Sequence, residues 1–259
     1  MAEEMRKNIP ADDLCSDRAA DHGRISENSA SDGLPLLVFD HDGTLHDSMR
    51  IFEPAMRDGM RYAEEEFGYP VRYVSSEEIS SFLGLNGPDT WKLIASEIPL
   101  DVEGEVMAFV GRRLKELAPV SGRWFPGIGE ALDELKADGY HMVILSNCET
   151  ALGKIYWEAY GIGRWFDHYY DCETYHFAPK EEIMRLIKEE YGRDVIMIGD
   201  RNTDKACADA AGAKFIACRY GYGNEQELQG ADAYADSPAG LPACVRSLTK
   251  CGHTAPEQV

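Results

Sequence analysis

The sequence lacks any apolar run of about 18 residues, the length that a membrane-spanning helix needs. Its amino-terminal end also lacks the apolar core of a signal peptide. The seven cysteines are scattered, with no CxxC pair and no nearby series of histidines. Neither a zinc site nor a disulfide framework is therefore indicated. Together these absences predict a cytoplasmic protein that does not enter the membrane and whose thiols are free.

Basic residues are scarce as well. The 259 residues include 26 Lys and Arg against 46 Asp and Glu, which gives a formal net charge of -20. Such a chain repels nucleic acid and anionic lipid, so neither is an expected partner. The same charge repels a phosphorylated ligand, so a phosphate site here would need a local lysine, a metal ion or helix amino-termini. The hydrophobic content of 44% suffices for a full core.

The stretch 36–48, LLVFDHDGTLHDS, is the most informative part of the chain. An apolar run of strand length ends at Asp40, and a second acid, Asp42, follows just before Gly43. The carboxyl end of a buried strand is where an open α/β sheet keeps its ligand crevice. Two acids there repel each other unless a cation lies between them, and Mg²⁺ prefers such oxygen ligands.

Two interpretations of these acids are open. An ordinary Asp-Gly turn would account for the glycine but would leave the acids without a role. The chemical interpretation makes Asp40 a nucleophile that accepts a phosphoryl group. Asp42 is then the acid/base that protonates the leaving oxygen.

The remaining pattern predicts an α/β protein. Asp47 or Ser48 is a plausible N-cap for the first helix, and no strand pattern occurs between residues 48 and 120. Strand and helix patterns then alternate, which is typical of a parallel, doubly wound sheet. We therefore predict a flexible extension at 1–33, an α/β core formed by 34–47 and 125–250, an inserted helical cap at 48–124 and a tail at 251–259.

One lysine stands out by its position. Lys180 follows Pro179 at the start of a predicted helix, where a positive charge opposes the helix dipole. An anionic partner is expected for it, and Asp40 with a transferring phosphoryl group would suit.

Four segments resemble the motifs of the haloacid dehalogenase (HAD) superfamily, in the form carried by its phosphoglycolate-phosphatase-like members. FDHDGTLHDS resembles the first motif, DxDGT, and Ser146-Asn147 resembles the second. Lys180 takes the place of the third, although proline precedes it here and follows it in many relatives. GDRNTD, 199–204, resembles the fourth motif, GDxxxD. The matches keep the family's chain order and span residues 36–236.

This resemblance implies a Rossmann-like parallel core with an inserted all-helical cap, and a Mg²⁺-dependent phosphatase that acts through an aspartyl-phosphate. It implies that Asp40 is the nucleophile and Asp42 the acid/base. It also implies the binding residues: Asp40, Asp200 and the backbone carbonyl of Asp42 for the metal, and Thr44, Ser146, Asn147 and Lys180 for phosphate. Asp204 is expected just outside the metal ligands, where it positions water and Lys180.

Several alternatives stay open. The acid at position 42 favours phosphoryl transfer over dehalogenation, but a sugar-phosphate mutase would keep the same acids. A catalytically silent interaction protein is a further possibility. The loop 84–87, GLNG, either reaches the substrate or is a plain interhelix turn. A small phosphorylated metabolite is the expected partner, while the sequence indicates neither its identity nor an oligomeric state. Gly221 and Gly223 predict a flexible loop.

Overall fold

A six-stranded parallel sheet forms the centre of the molecule in a computed structural model, which describes residues 33–69, 72–83, 85, 90, 93 and 99–249. The strands are β1 (Leu36–Phe39), β2 (Met142–Ser146), β3 (His168–Asp171), β4 (Val195–Gly199), β5 (Lys214–Cys218) and β6 (Ala233–Ala235). Their order across the sheet is β3-β2-β1-β4-β5-β6. The first strand is thus central, with the order reversing at β1, as in doubly wound sheets.

Helices connect the strands and lie on both faces of the sheet. They are α1 (Met49–Phe67), α2 (Ser76–Ser81), α3 (Leu100–Ser121), α4 (Ile128–Ala137), α5 (Thr150–Ala159), α6 (Lys180–Tyr191), α7 (Asn202–Ala211) and α8 (Leu241–Thr249). The predicted fold class, a parallel α/β sheet with flanking helices, is confirmed.

Side chains of the central strands alternate between two hydrophobic cores, because successive residues of a strand point to opposite faces. Leu37 and Phe39 of β1 lie in one core with α4, α5 and α8. Leu36 and Val38 lie in the other with α6 and α7. All four side chains are fully buried. Burial on both faces explains why this strand is a continuous apolar run rather than an alternating one.

Helices α1, α2 and α3 lie between β1 and α4 in the chain and have a hydrophobic cluster of their own. Met56 and Ala63 of α1 pack there with Ile79 of α2 and Val106 of α3. We call these three helices the cap. The boundaries predicted for cap and core, 48–124 on one side and 34–47 with 125–250 on the other, stay predictions.

Some predicted features lie outside the described residues. They are the extension 1–33 except Gly33, the tail 251–259, and the loop 84–87 except Leu85. Among the helices that the structure describes, none has the length and apolar character needed to cross a membrane.

Candidate active site

Three carboxylates meet at the carboxyl ends of the two central strands. Asp40 directly follows β1, Asp200 directly follows β4, and Asp204 lies in the first turn of α7. One oxygen from each lies within 4.8 Å of the others. All three are buried, and Asp200 is fully so. Parallel pairing of β1 with β4 brings them together, because both strands end at the same edge of the sheet.

Lys180, the first residue of α6, reaches into this acidic cluster. Its Nζ donates to Asp40 Oδ1 at 2.6 Å and to Asp204 Oδ1 at 2.7 Å. The side chain is only 6% exposed. The ammonium that the helix dipole disfavours therefore has two anionic partners.

Three carboxylates share this single ammonium, so the cluster carries excess negative charge. Burial raises the pKa of Asp40 well above its usual value despite the opposing charge of Lys180, and Asp204 and Asp200 raise it further. Burial and the charge of Asp204 raise the pKa of Asp200 to about 7. Burial lowers the pKa of Lys180, but the charges of Asp204 and Asp40 raise it well above normal. Buried oxygen donors with raised pKa values suit a hard divalent cation.

Glycines enclose the Asp200 side chain closely. A Cβ on Gly43, whose φ is +88°, would lie 2.3 Å from Asp200 Oδ2, and a Cβ on Gly221 would lie 2.4 Å from Asp200 Cβ. The backbone N–H of Tyr222 donates to Asp200 Oδ2 at 2.7 Å. The loop predicted to be flexible around Gly221 and Gly223 thus packs against the acid, and small residues are needed there because the backbone approaches so closely.

The Asp42 carboxylate lies in a different group from the other acids. Ser48 donates its hydroxyl to Asp42 Oδ1 at 2.5 Å, and His46 Nδ1 lies 2.7 Å from the same hydroxyl. Its oxygen groups with the ring nitrogens of His41 and His46 rather than with Asp40 and Asp200. The side chains of Asp40 and Asp200 thus lie in one acidic cluster, and the Asp42 carboxylate lies outside it. That Asp40 and Asp200 bind a metal ion stays a prediction. The role predicted for the Asp42 backbone carbonyl stays a prediction.

The Asp42 environment also explains a missing helix cap. Ser48 occupies the N-cap position of α1, yet its side chain caps no backbone N–H, because its hydroxyl is bound to Asp42. Burial raises the pKa of Asp42, but His46 and Ser48 together with the charge of His41 lower it to about 2. In the resting site this carboxyl is therefore ionised at neutral pH.

Two buried histidines lie next to Asp42, and the sequence patterns did not predict a role for them. His41, which separates the two acids in the sequence, is fully buried and stacks on Tyr156 with ring centroids 4.3 Å apart. Neither of its ring nitrogens has a hydrogen-bond partner among the described residues, and burial lowers its pKa to about 3. His46 Nε2 lies 3.2 Å from the Tyr160 hydroxyl. The only available signal was the position of both histidines inside FDHDGTLHDS, and it does not reveal their burial.

The predicted phosphate ligands lie at the same edge. Ser146 is the buried last residue of β2, the neighbour of β1, and its Oγ accepts from the Cys148 N–H at 3.3 Å. Asn147 lines the cavity described below. Thr44 donates its hydroxyl to Asp200 Oδ1 at 3.3 Å and is buried. The phosphate-binding roles of these three residues stay predictions.

A cavity of about 400 Å³ opens between the cap and the carboxyl end of the sheet. Asp40, Asp42 and Asn147 line it from the core, together with residues between 148 and 156. Residues of α1, of the segment after α2 and of α3 line the other side. A larger depression of about 720 Å³ near Leu34 and Asp194 lies at the opposite ends of β1 and β4 and contains none of the motif acids. The smaller cavity is therefore the candidate substrate site.

Comparison with known proteins gives consistent matches. A family model described as haloacid dehalogenase-like hydrolase matches residues 37–218. A phosphoglycolate phosphatase of Vibrio parahaemolyticus is 24% identical over 218 residues, 79% of this chain and 92% of the relative. A phosphoglycolate phosphatase of Caulobacter vibrioides is 30% identical over 165 residues, 61% of this chain and 68% of the relative.

A solved structure has a similar fold. The crystal structure of a predicted phosphoglycolate phosphatase from Haemophilus somnus superposes with a TM-score of 0.69 at 20% identity, covering 81% of this chain and 97% of that one. At this level of identity the likeness concerns the fold alone.

Proposed function

The chain belongs to the haloacid dehalogenase-like hydrolases and is an enzyme of their phosphatase type, and from this premise we propose that it hydrolyses a small phosphate monoester through a phosphorylated Asp40. The observation that carries the proposal is the buried Lys180 ammonium, held between Asp40 and Asp204 and beside Asp200. A lysine in this position neutralises charge that grows on a transferring phosphoryl group.

The first half of the reaction transfers phosphorus to the protein. An oxygen of Asp40 attacks phosphorus, an O–P bond forms to Asp40, and the O–P bond to the alcohol breaks. Asp42 gives its proton to the leaving oxygen. Asp42, ionised in the resting site, takes up this proton from solvent when the substrate's negative charge arrives, because a nearby like charge raises the pKa of a carboxyl group.

The second half releases phosphate. Asp42, now ionised again, removes a proton from water, the water oxygen bonds to phosphorus, and the bond to Asp40 breaks. The Ser48 hydroxyl, with His46 behind it, holds the Asp42 carboxylate in one orientation for both proton transfers. Positioning of this kind is effective because the acid/base must lie within hydrogen-bond reach of the reacting oxygen.

We further propose Mg²⁺ as the cofactor, held by Asp40, Asp200 and the Asp42 backbone carbonyl. When bound, the ion offsets negative charge on the phosphoryl oxygens. The fit rests on the buried carboxylates of Asp40 and Asp200. Their pKa values stay raised beside Lys180, so the charge of this lysine alone does not balance theirs. Thr44 and Asp204 support this set: one donates to Asp200 and the other binds Lys180.

The proposal is tested by phosphate release from an aryl phosphate with Mg²⁺ and with EDTA. We expect activity with Mg²⁺, loss with EDTA, and loss in Asp40→Asn. Asp101→Asn, an exposed acid in the first turn of α3, is the matched control and should keep full activity. Hydroxylamine should trap an acyl-phosphate at Asp40. Full activity in Asp40→Asn, or trapping at another residue, would contradict the covalent route.

The same measurements separate phosphatase from mutase. A phosphatase releases inorganic phosphate in step with the alcohol. A mutase returns the phosphoryl group to a sugar, so free phosphate would stay a small fraction of the product.

A further inference from the structure

The wall of the candidate substrate cavity is strongly apolar away from the acids. Six apolar side chains line it, four of them buried and two partly buried: Ile51, Phe52 and Met56 of α1, Phe82 and Leu83 just after α2, and Met107 of α3. Such a wall stabilises a bound ligand only by removing apolar ligand surface from water. A polar group that enters it loses its hydration without a replacement partner.

Positive charge is scarce among the described residues that line the cavity. Among the described residues that line it, Lys115 is the one cation, and its Nζ lies 2.8 Å from Glu149 Oε2, which also lines the cavity. Lys180 is already bound to Asp40 and Asp204. Nearby Arg201 is bound to Glu227 and to the Leu83 carbonyl. These three cations of the described part of the chain therefore already have anionic or carbonyl partners, and none of them is a dedicated counter-charge for a second anionic group on the substrate.

The cavity also has more room than a two-carbon acid fills. Small residues at positions 104, 108 and 111 lie along one face of α3 and line it. A Cβ built on Gly104 meets no atom of the described residues within 4 Å. A volume of about 400 Å³ lies in the range of sites that hold ligands of drug-like size.

We propose that the substrate is the phosphate monoester of an apolar alcohol, with the phosphate at Asp40 and a hydrocarbon group against the cap wall. This inference rests on the proposed function, because it assumes that the phosphate lies at Asp40. It selects against phosphate esters whose organic part carries a carboxylate, phosphoglycolate among them.

A series of alkyl phosphates tests the inference directly. We would measure kcat/KM for ethyl, butyl and hexyl phosphate and for phosphoglycolate, with Mg²⁺ and the full chain. Each added methylene should raise kcat/KM about fourfold, which corresponds to the transfer of one methylene from water. Hexyl phosphate, with four more methylenes, should therefore exceed ethyl phosphate about 250-fold, and phosphoglycolate should fall below both.

Two variants locate the effect on the cap wall. Gly104→Leu should lower kcat/KM for hexyl phosphate about tenfold and that for ethyl phosphate less than twofold, as expected for one side chain in a hydrophobic pocket. Glu105→Leu, the exposed next residue, is the control and should change neither value. Met107→Lys should lower kcat/KM for hexyl phosphate by a similar factor. Its control is Val120→Lys, at an exposed position near the end of the same helix.

A binding measurement adds a readout that does not need turnover. In Asp40→Asn, calorimetric titration should show tighter binding of hexyl phosphate than of phosphoglycolate.

The outcomes separate this inference from the function beneath it. Phosphate release that is equal along the alkyl series, or fastest from phosphoglycolate and reduced by Lys115→Met, would overturn the inference and leave the phosphatase in place. No release from any ester in the series or from the aryl phosphate would overturn both.

Discussion

Replacing Lys180 with methionine removes the single ammonium that serves the acidic cluster. Methionine keeps most of the side-chain volume, so the change is mainly one of charge. It leaves Asp40 and Asp204 buried with no cation where each had one at 2.6 or 2.7 Å. Breaking a buried pair from one side costs about 3–5 kcal/mol. We expect a loss of this size in the free energy of unfolding, measured by urea denaturation in EDTA at pH 8.

The loss should depend on pH in a definite direction. Without the ammonium, the pKa of Asp40, already raised by burial, rises further in the folded protein. A raised pKa stabilises the fold below the unfolded value, and this stabilisation disappears as pH rises through the folded value. Lys180→Met should therefore be less destabilised at pH 5 than at pH 8, because a protonated carboxyl needs no cation.

A double-mutant cycle identifies the partner. Asp204→Asn in the Lys180→Met background removes one of the two uncompensated charges. It should restore about 2 kcal/mol of the loss, within the range expected for groups in contact. Additive effects of the two substitutions, or an equal loss at pH 5 and pH 8, would refute the view that Lys180 stabilises the protein by neutralising these acids. Asp101→Asn serves as the control for the second substitution.

Three further predictions concern the surroundings of the acids. The pKa of Asp200 is raised from 3.8 to about 7, so the stabilisation that comes from its protonation is lost as pH rises through 7. In EDTA, between pH 5 and pH 8, the free energy of unfolding of the wild type should therefore fall by about 2 kcal/mol more than that of Asp200→Asn, as measured by urea denaturation. Gly43→Ala should lower kcat/KM at least about 100-fold by displacing Asp200. Gly68→Ala, with φ of +72° and open space around its Cβ, should carry only the strain and keep activity. Ser48→Ala should lower the rate of alkyl phosphate hydrolysis about tenfold or more and that of aryl phosphate hydrolysis less, because poor leaving groups depend most on the acid. Ser48→Thr should restore the rate. An equal loss on both substrates would exclude a role of Ser48 in proton transfer.

The sequence alone determined the sheet and the edge at which the acids lie. Leu36–Phe39 and Val195–Gly199 are apolar runs that end in acids, and such runs become strands buried on both faces. Parallel strands expose their carboxyl ends at one edge, so local patterns were enough to predict that Asp40 and Asp200 would be near each other. The misplaced charge of Lys180 at a helix start likewise required a nearby anion.

Only the tertiary structure decided what each polar group contacts. It separated the Asp42 carboxylate from the cation cluster, because His46 and Ser48 fold back onto it. It packed Gly221 against Asp200 and buried His41 with no hydrogen-bond partner among the described residues. It also placed apolar cap residues over the acids. These contacts join segments distant in the chain, or depend on a side-chain direction that a tight turn sets, and no local period of hydrophobic residues encodes either.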